Sequence, residues 1–466
     1  MEPNRHYKLT EDTFIRKFKE IAIVYNQKNK TQLVFDGVGS MFLSELDRKE
    51  KQHEQIIKNL YLKFKGITYD QISIDYYEFI NKLNDLGLIL INGKINELYN
   101  KNMYNNKHTD KSVAETSAFL KKYFKTNPSL YSFQFYVTKL CNEKCLHCYI
   151  DNKKNEKTLS TSRMLEIINE LAEMNTMEIT FTGGEPFLNK DLVKLLECAR
   201  NNDMTISILS NLTLLNKELV SVLKKVNIEV IQTSVYSMRP EVHDNITSLP
   251  GSHAKTMEAI KILKTSGINV NIACPIMNEN VENFDEVIKF ANKNEIPIGC
   301  DITIMAKENG EKSTLKHRIK KELIENVMKK IIDNNPEYKK SLDKYKCGIK
   351  NFPIDSCGAG NLMLCVKDNG DCIPCPGFGY IVGNVQKNKI KDIWENSDKL
   401  IALRKMKREE KYNKCLSCDE SDFCAFCIAK FHNENEWNTG ILPNGYCNLA
   451  KINKKLAYKY IYDQKT

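Results

Sequence analysis

The sequence predicts an α/β protein built on a parallel sheet with helices on its outer face. A small mixed domain precedes this core and a cysteine-rich segment follows it. Three observations carry the expectation. Between residues 131 and 305, β-rich runs alternate with helical stretches, the pattern of strand–helix–strand crossovers. None of the 16 cysteines lies before Cys141, whereas ten fall from Cys347 to Cys447. The 466 residues are 42% hydrophobic and 27% charged, a globular composition long enough for about three domains.

The elements follow in order. Ile21–Tyr25 and Thr31–Phe35 are β-rich runs separated by the turn-forming residues Asn26 to Lys30. Gly39–Leu46, His53–Phe64 and Tyr69–Leu86 carry helical spacing, as in Ile72, Tyr76, Phe79, Ile80 and Leu83. Gly87 stops the last helix and Leu88–Ile91 returns as a strand, so residues 1–98 are expected to form a winged helix. Residues 99–128, rich in Asn, Lys and Thr, are expected to link it to the core at 129–335. There the candidate strands are Phe133–Thr138, Glu178–Phe181, Thr205–Leu209, Glu229–Ser234 and Ile268–Cys274. Thr161–Met174, Lys190–Asn201 and Ala254–Ser266 are helical between them. Lys312–Asp333 is expected as one further helix leading into the cysteine-rich region at 336–466.

The longest apolar runs are far too short to cross a bilayer, and Met1-Glu2-Pro3-Asn4-Arg5 opens no signal peptide, so a cytoplasmic protein without membrane association is expected. Such a chain uses clustered cysteines for metal or redox chemistry rather than as a disulfide scaffold. Of the net charge of +10, residues 1–100 contribute +1, from 15 Lys+Arg against 14 Asp+Glu. The excess surrounds the cysteines, where it would offset anionic clusters, suit an acidic peptide, or simply solvate a lysine-rich surface.

The first motif is Cys141-Asn-Glu-Lys-Cys145-Leu-His-Cys148, just after the first parallel strand. Three thiolates can hold three corners of a [4Fe–4S] cubane and leave the fourth iron open. Zinc would need a fourth ligand, and His147 lies awkwardly inside the Cys-x2-Cys step. The second strand ends in Thr182-Gly183-Gly184-Glu185-Pro186. That is a tight turn at the least; it also lets backbone approach a ligand and offers Glu185 to an ammonium. Ser210-Asn211 ends the third strand and Ser234 the fourth, where loop capping explains them equally well.

Motifs in this order at successive strand ends resemble the radical S-adenosylmethionine (SAM) superfamily, whose fold is a partial (β/α)6 TIM-like barrel. The resemblance implies a SAM-binding cluster on Cys141, Cys145 and Cys148. It implies SAM contacts from His147, Gly183, Gly184, Glu185, Pro186, Ser210, Asn211 and Ser234. The later cysteines resemble the SPASM extension: Cys357, twelve residues, Gly370, four residues, Cys375, then Cys415-x2-Cys418-x5-Cys424, and finally Cys447. Cys427 follows Cys424 after two residues, where that pattern has three. By this resemblance Cys415, Cys418, Cys424 and Cys447 hold one auxiliary [4Fe–4S] cluster, and Cys357, Cys375 and Cys427 hold another, for three clusters in all.

The fourth ligand of that last cluster is open among Cys365, Cys372, Cys347 and a vacant iron. Leu362–Val366 and Asp371–Cys375 flank Lys367-Asp368-Asn369-Gly370, a hairpin turn. The expected register sets Val366 opposite Asp371 and Cys365 opposite Cys372 on the same side. The resemblance favours Cys365. Cys274 and Cys198 are expected in apolar packing.

The N-terminal segment resembles the winged-helix recognition element of ribosomal peptide pathways, which docks a leader peptide by strand addition. A rival is an iron–sulfur regulator binding DNA, but a charge of +1 over a hundred residues makes a poor phosphate-binding face. With Leu249-Pro250-Gly251 and Cys274-Pro275-Ile276-Met277, the chain is most similar to the thioether-forming (sactipeptide) maturases. The resemblance implies SAM cleavage to a 5′-deoxyadenosyl radical and bonding of a substrate cysteine sulfur to carbon. Its implied partners are a precursor peptide with a leader and a flavodoxin- or ferredoxin-type electron donor, with no nucleic acid. Carbon–carbon crosslinking, epimerisation and serine or cysteine oxidation are sister reactions. No acid or base is assigned by the sequence.

Overall fold

The computed structural model describes residues 4–96, 119–120, 122–151, 158–343, 357–406, 415, 417–435 and 444–462. Cys347, residues 97–98, and residues 99–118 and 121 of the expected linker lie outside the described residues. The chain forms two compact units, residues 1–123 and 124–466.

In the first unit, β1 (His6–Leu9), β5 (Lys51–Gln52) and β6 (Ile89–Ile91) form an antiparallel sheet in the order β5-β1-β6. β2 (Thr13–Phe18), β3 (Ile21–Asn26) and β4 (Thr31–Asp36) form an antiparallel meander. β3 is buried along its whole length, which its unbroken apolar run foreshadows. β2 was hidden in the sequence by Arg16 and Lys17. The Asn26 side chain accepts the N–H groups of Lys28 and Asn29, both at 3.0 Å, and this local capping makes the turn into β4. Helices Gly37–Leu43, His53–Tyr61 and Tyr69–Asp85 follow. The last is capped by Thr68, whose hydroxyl accepts the Gln71 N–H, and Gly87 ends it at φ +69°. Tyr76 on that helix is fully buried, edge-on to Tyr7 and Phe42 with centroids 6.0 and 5.2 Å away.

The second unit is the expected α/β body with a parallel sheet. β7 (Ser132–Tyr136), β8 (Glu178–Thr182), β9 (Thr205–Leu209), β10 (Val230–Ser234), β11 (Val270–Pro275) and β12 (Ile298–Asp301) lie side by side in chain order. β12 has only four residues, one of them glycine, and its pattern was too short to read. Helices such as Thr161–Glu173, Leu192–Asn201 and Phe284–Lys293 bury Ile167, Leu171, Leu195, Val287 and Ile288 against Phe133, Ile179 and Ile272. The cysteine-rich region continues the same sheet. β13 (Met363–Val366) pairs parallel with β7, and β14 (Asp371–Ile373) and β15 (Gly383–Asn384) extend it antiparallel.

Two expectations are corrected. The single helix over Lys312–Asp333 is broken into turns at Ser313–His317 and Lys321–Leu323 before a helix at Ile324–Asn334. Tertiary contacts win over helical periodicity there: Thr314 donates to the Met305 carbonyl at 2.6 Å, and the Arg318 guanidinium donates to that of Ile304 at 2.7 Å. The hairpin register is the second. Lys367 pairs with Asp371 through a three-residue loop, closed by Gly370 at φ +88°. Val366 therefore faces Cys372, and Cys365 faces Ile373. A slip of one residue changes every partner. Cys365 joins Tyr136 and Ile373 in a small cluster, whereas Cys372 enters the main core. The two thiols are not paired neighbours on one side.

Cys372→Ser buries a hydroxyl in that core and should cost about 1–3 kcal/mol, read from the denaturant midpoint. The iron content of reconstituted protein should not change; a loss of iron would place Cys372 on a cluster instead.

Candidate functional site

At the carboxyl ends of the parallel strands lies a cavity of about 620 Å³. The loop leaving β7 brings Cys141, Cys145 and Cys148 to its wall, joined by Gly183, Gly184, Ser210, Asn211, Ser234 and His147. Nine of the expected site residues thus line one cavity, whereas Glu185, Pro186 and the cysteines from Cys357 onward are not among its lining residues.

The glycine pair makes this possible. A Cβ on Gly183 would sit 2.1 Å from the Thr138 carbonyl oxygen, and one on Gly184 would sit 2.2 Å from that of Leu140. Gly183 also has φ +135°, a conformation other residues rarely adopt. The gap is closed by hydrogen bonds from Gly184 N–H to Thr138 O and from Glu185 N–H to Leu140 O, each 2.8 Å. The turn after β8 is thereby pressed onto the chain that leads into Cys141.

Glu185 is buried, and Pro186 beside it opens a short 3-10 turn. The Glu185 carboxylate accepts from Phe187 N–H (3.0 Å), Ser210 Oγ (2.8 Å) and Asn211 N–H (2.8 Å). Its acceptor capacity ties the ends of β8 and β9 together, and burial pushes its carboxyl up to about 7. Asn211 donates to the Asn142 side chain at 3.0 Å, and Asn142 donates to Thr213 at 2.7 Å. These contacts hold the cysteine loop over β9.

Cys141, Cys145 and Cys148 all line the cavity. Burial pushes Cys141 up to about 11 and raises Cys145 and Cys148 too, and Cys148 adds to the rise at both others. A metal cation is what would turn such desolvated thiols into thiolates. Tyr236 closes the wall with its hydroxyl 3.9 Å from Cys145 Sγ and its ring edge-on to His147, centroids 5.2 Å apart. Burial pushes His147 down to about 4, and its Nδ1 is buried without a hydrogen-bond partner. A neutral imidazole inside the Cys145–Cys148 step is free to flank a cluster.

Burial raises Cys415 and Cys424, with smaller contributions from Cys418 and Cys447 at each, and Cys447 also contributes to the rise at Cys418. Burial raises Cys427, with a contribution from Cys357. Cys357, Cys375 and Cys427 pack half-buried against the main core. Among the described residues no three His, Cys, Asp or Glu side chains converge as a single metal ion requires. A [4Fe–4S] cubane takes thiolate ligands, and the three cysteines on the cavity wall are of the type it needs.

Several cavity residues had no signal in the sequence. Tyr236 on the cavity wall, like Asn142 in the cysteine loop, was findable only as a neighbour of motif residues. Lys430 was not findable, since it arrives from the cysteine-rich region to bond Asp301 Oδ2 at 2.8 Å and the Thr303 carbonyl at 2.7 Å. Burial alone would push the Asp301 carboxyl up, but the Lys430 ammonium together with the Thr303 hydroxyl and N–H holds it below its ordinary value.

The parallel sheet, the cysteine loop and the glycine turn define a radical SAM enzyme. Residues 135–291 match the Radical SAM superfamily, and residues 357–419 match SPASM, an iron–sulfur cluster-binding domain. The chain carries both domains, and their cofactors are SAM and iron–sulfur clusters. It is 22% identical over 319 residues to the AdoMet-dependent heme synthase of Oleidesulfovibrio alaskensis, covering 63% of this chain and 81% of that one. It is 24% identical over 339 residues to the antilisterial bacteriocin subtilosin biosynthesis protein AlbA of Bacillus subtilis, covering 68% and 70%. Its fold resembles Streptococcus suis SuiB bound to precursor peptide SuiA, with TM-score 0.66 at 17% identity over 92% of this chain and 97% of that one. Among the described residues no helix is long and apolar enough to cross a membrane.

Replacing Cys141, Cys145 and Cys148 together by alanine should remove about four irons, the content of one cubane. Gly184→Ala forces the cysteine loop away from β8 and should abolish SAM binding in equilibrium dialysis. Full iron in the triple variant would place that cluster elsewhere.

Proposed function

We propose that this protein matures a ribosomally made precursor peptide by joining a cysteine sulfur to carbon as a thioether. One observation carries the peptide reading. The likeness to the peptide-bound structure spans 92% of the chain, whereas residues 124–466 are only 343 of 466, or 74%. The likeness therefore takes in part of the N-terminal unit, which a small-molecule enzyme would not need. Identity to a bacteriocin biosynthesis protein supports the same class of product. The thioether rests on the motifs at Leu249–Gly251 and Cys274–Met277.

In this reading residues 1–98 hold the leader peptide, adding its strand to an edge of the β2–β3–β4 meander. Residues 129–335 hold SAM, and residues 336–466 hold two auxiliary [4Fe–4S] clusters, three clusters in all. Cys415, Cys418, Cys424 and Cys447 are assigned to one, and Cys357, Cys375 and Cys427 to the other. When bound, SAM and the clusters supply the two one-electron oxidations that a thioether requires, one as hydrogen-atom removal and one as the sulfur–carbon bond forms. The chain does the rest by binding and exclusion. The backbone at Gly183–Gly184, Ser210, Asn211 and Ser234 are polar holds for SAM. Leu146, Met277, Ile304 and Tyr236 form an apolar wall beside the cysteine loop that keeps water from a reactive intermediate. A cytoplasmic flavodoxin- or ferredoxin-type donor supplies the reducing electron.

The product decides. Each link should make the precursor lighter by two hydrogens and protect its cysteine from iodoacetamide after strong reduction, which opens a disulfide but not a thioether. Deleting residues 1–98 should abolish processing while SAM cleavage without peptide survives. An unchanged mass with deuterium taken from solvent means an epimerase. Turnover of a porphyrin but of no peptide would move the protein to the chemistry of its heme synthase relatives.

A further inference from the structure

Residues 301–308, just after β12, receive contacts from three distant segments, each beside an assigned cluster ligand. The Glu308 N–H donates to the carbonyl of Tyr149, the residue after Cys148, at 2.9 Å. Gly379, four residues after Cys375, lies so close that a Cβ on it would sit 2.0 Å from the Glu308 carbonyl oxygen. Helix Ile428–Asn435, which starts one residue after Cys427, presents Lys430, Asn433 and Glu434 along one face at helical spacing.

Each of these three side chains reaches the same stretch or its partner. Lys430 binds Asp301 and Thr303 as described above. Glu434 takes the fork of Arg318, with Nη1 to Oε2 at 3.2 Å, while Arg318 Nε bonds the Ile304 carbonyl. Asn433 is 3% exposed, and its amide is fully used. It donates to the carbonyls of Gly377 (2.7 Å) and Ala306 (3.4 Å) and accepts the Gly379 N–H (2.9 Å). A buried amide satisfied on three sides specifies geometry in a way that an apolar residue of the same size would not.

We propose that Asn433 and Lys430 are positioning residues. Helix Ile428–Asn435 clamps the loops carrying Cys375 and Cys427 onto residues 301–308, and so fixes the auxiliary cluster assigned to Cys357, Cys375 and Cys427 relative to the SAM cavity. The inference rests on the reading of Cys357, Cys375 and Cys427 as ligands of one cluster. Asn433 is the sharper probe because it does not line the cavity, whereas Lys430 does.

The test uses reconstituted full-length protein carrying Asn433→Ala, Lys430→Met or Lys430→Arg. It reads iron per chain, the electron paramagnetic resonance (EPR) spectrum of the reduced protein, and product formed per 5′-deoxyadenosine. Asn433→Ala should keep about twelve irons, at four per cubane. It should alter the EPR signal of one cluster and lower product per 5′-deoxyadenosine by about tenfold, since a misplacement of 1 Å can cost about 100-fold. Lys430→Met should move both readouts the same way, and Lys430→Arg should restore most of the loss. A wild-type EPR signal and wild-type coupling in Asn433→Ala would overturn the clamp. Should that variant fail to fold, unchanged readouts in Lys430→Met would overturn it instead. Wild-type protein holding only about four irons would sink the twin-cluster reading itself, and the clamp with it.

Discussion

The contact between the turn after β8 and the chain leaving β7 is the constraint from which the rest of the site follows. Two strands of a parallel sheet end side by side, and their exits must diverge unless something lets them touch. Here Gly183 and Gly184 remove the Cβ atoms that would meet Thr138 and Leu140, and two 2.8 Å backbone hydrogen bonds hold the contact. The cysteine loop then has one place to go, over the carboxyl ends of β8 and β9. Glu185 extends the same tie to Ser210 and Asn211. The motif read as a ligand contact thus first serves to bring the ligand-holding loops together.

A second consequence concerns the cysteine-rich region, which is tied into the parallel sheet. β13 lies parallel to β7, the strand that feeds the cysteine loop, with Cys365 level with Gln134. The hairpin after β13 and the helix after Cys427 both return to residues 301–308, where Lys367 pairs with Glu308 at 2.6 Å. A shared sheet on one side and buried polar ties on the other leave that hairpin and that helix little freedom relative to the cavity. Fixed spacing between redox groups and substrate is what a radical reaction requires, because the intermediate survives only while it is held and kept from water.

Desolvation is the electrostatic theme of the site. Burial raises the thiols of Cys141, Cys145 and Cys148 and the carboxyl of Glu185, and lowers His147, so the cavity favours neutral groups until cations enter it. Lys430 and Asp301 behave differently, as a charged pair at the rim.

The cysteine spacings, the Gly-Gly-Glu-Pro turn and strand–helix alternation over residues 131–275 are local patterns, and the sequence alone determined the parallel sheet, its first five strands and the cysteine, glycine and Ser-Asn motif residues that line the cavity. Patterns of this kind survive because ligand geometry and pleat periodicity act over a few residues. Tertiary structure decided the rest. β12 was too short to show a period, and the helix at Lys312 was broken by carbonyls of Ile304 and Met305 that compete for its side chains. The hairpin register turned on a single positive φ at Gly370, which separated Cys365 from Cys372. Lys430 and Asn433 reach residues more than a hundred positions away, at Asp301, Thr303 and Ala306. A contact of that range leaves no trace in local spacing, because only the folded sheet brings its two ends together.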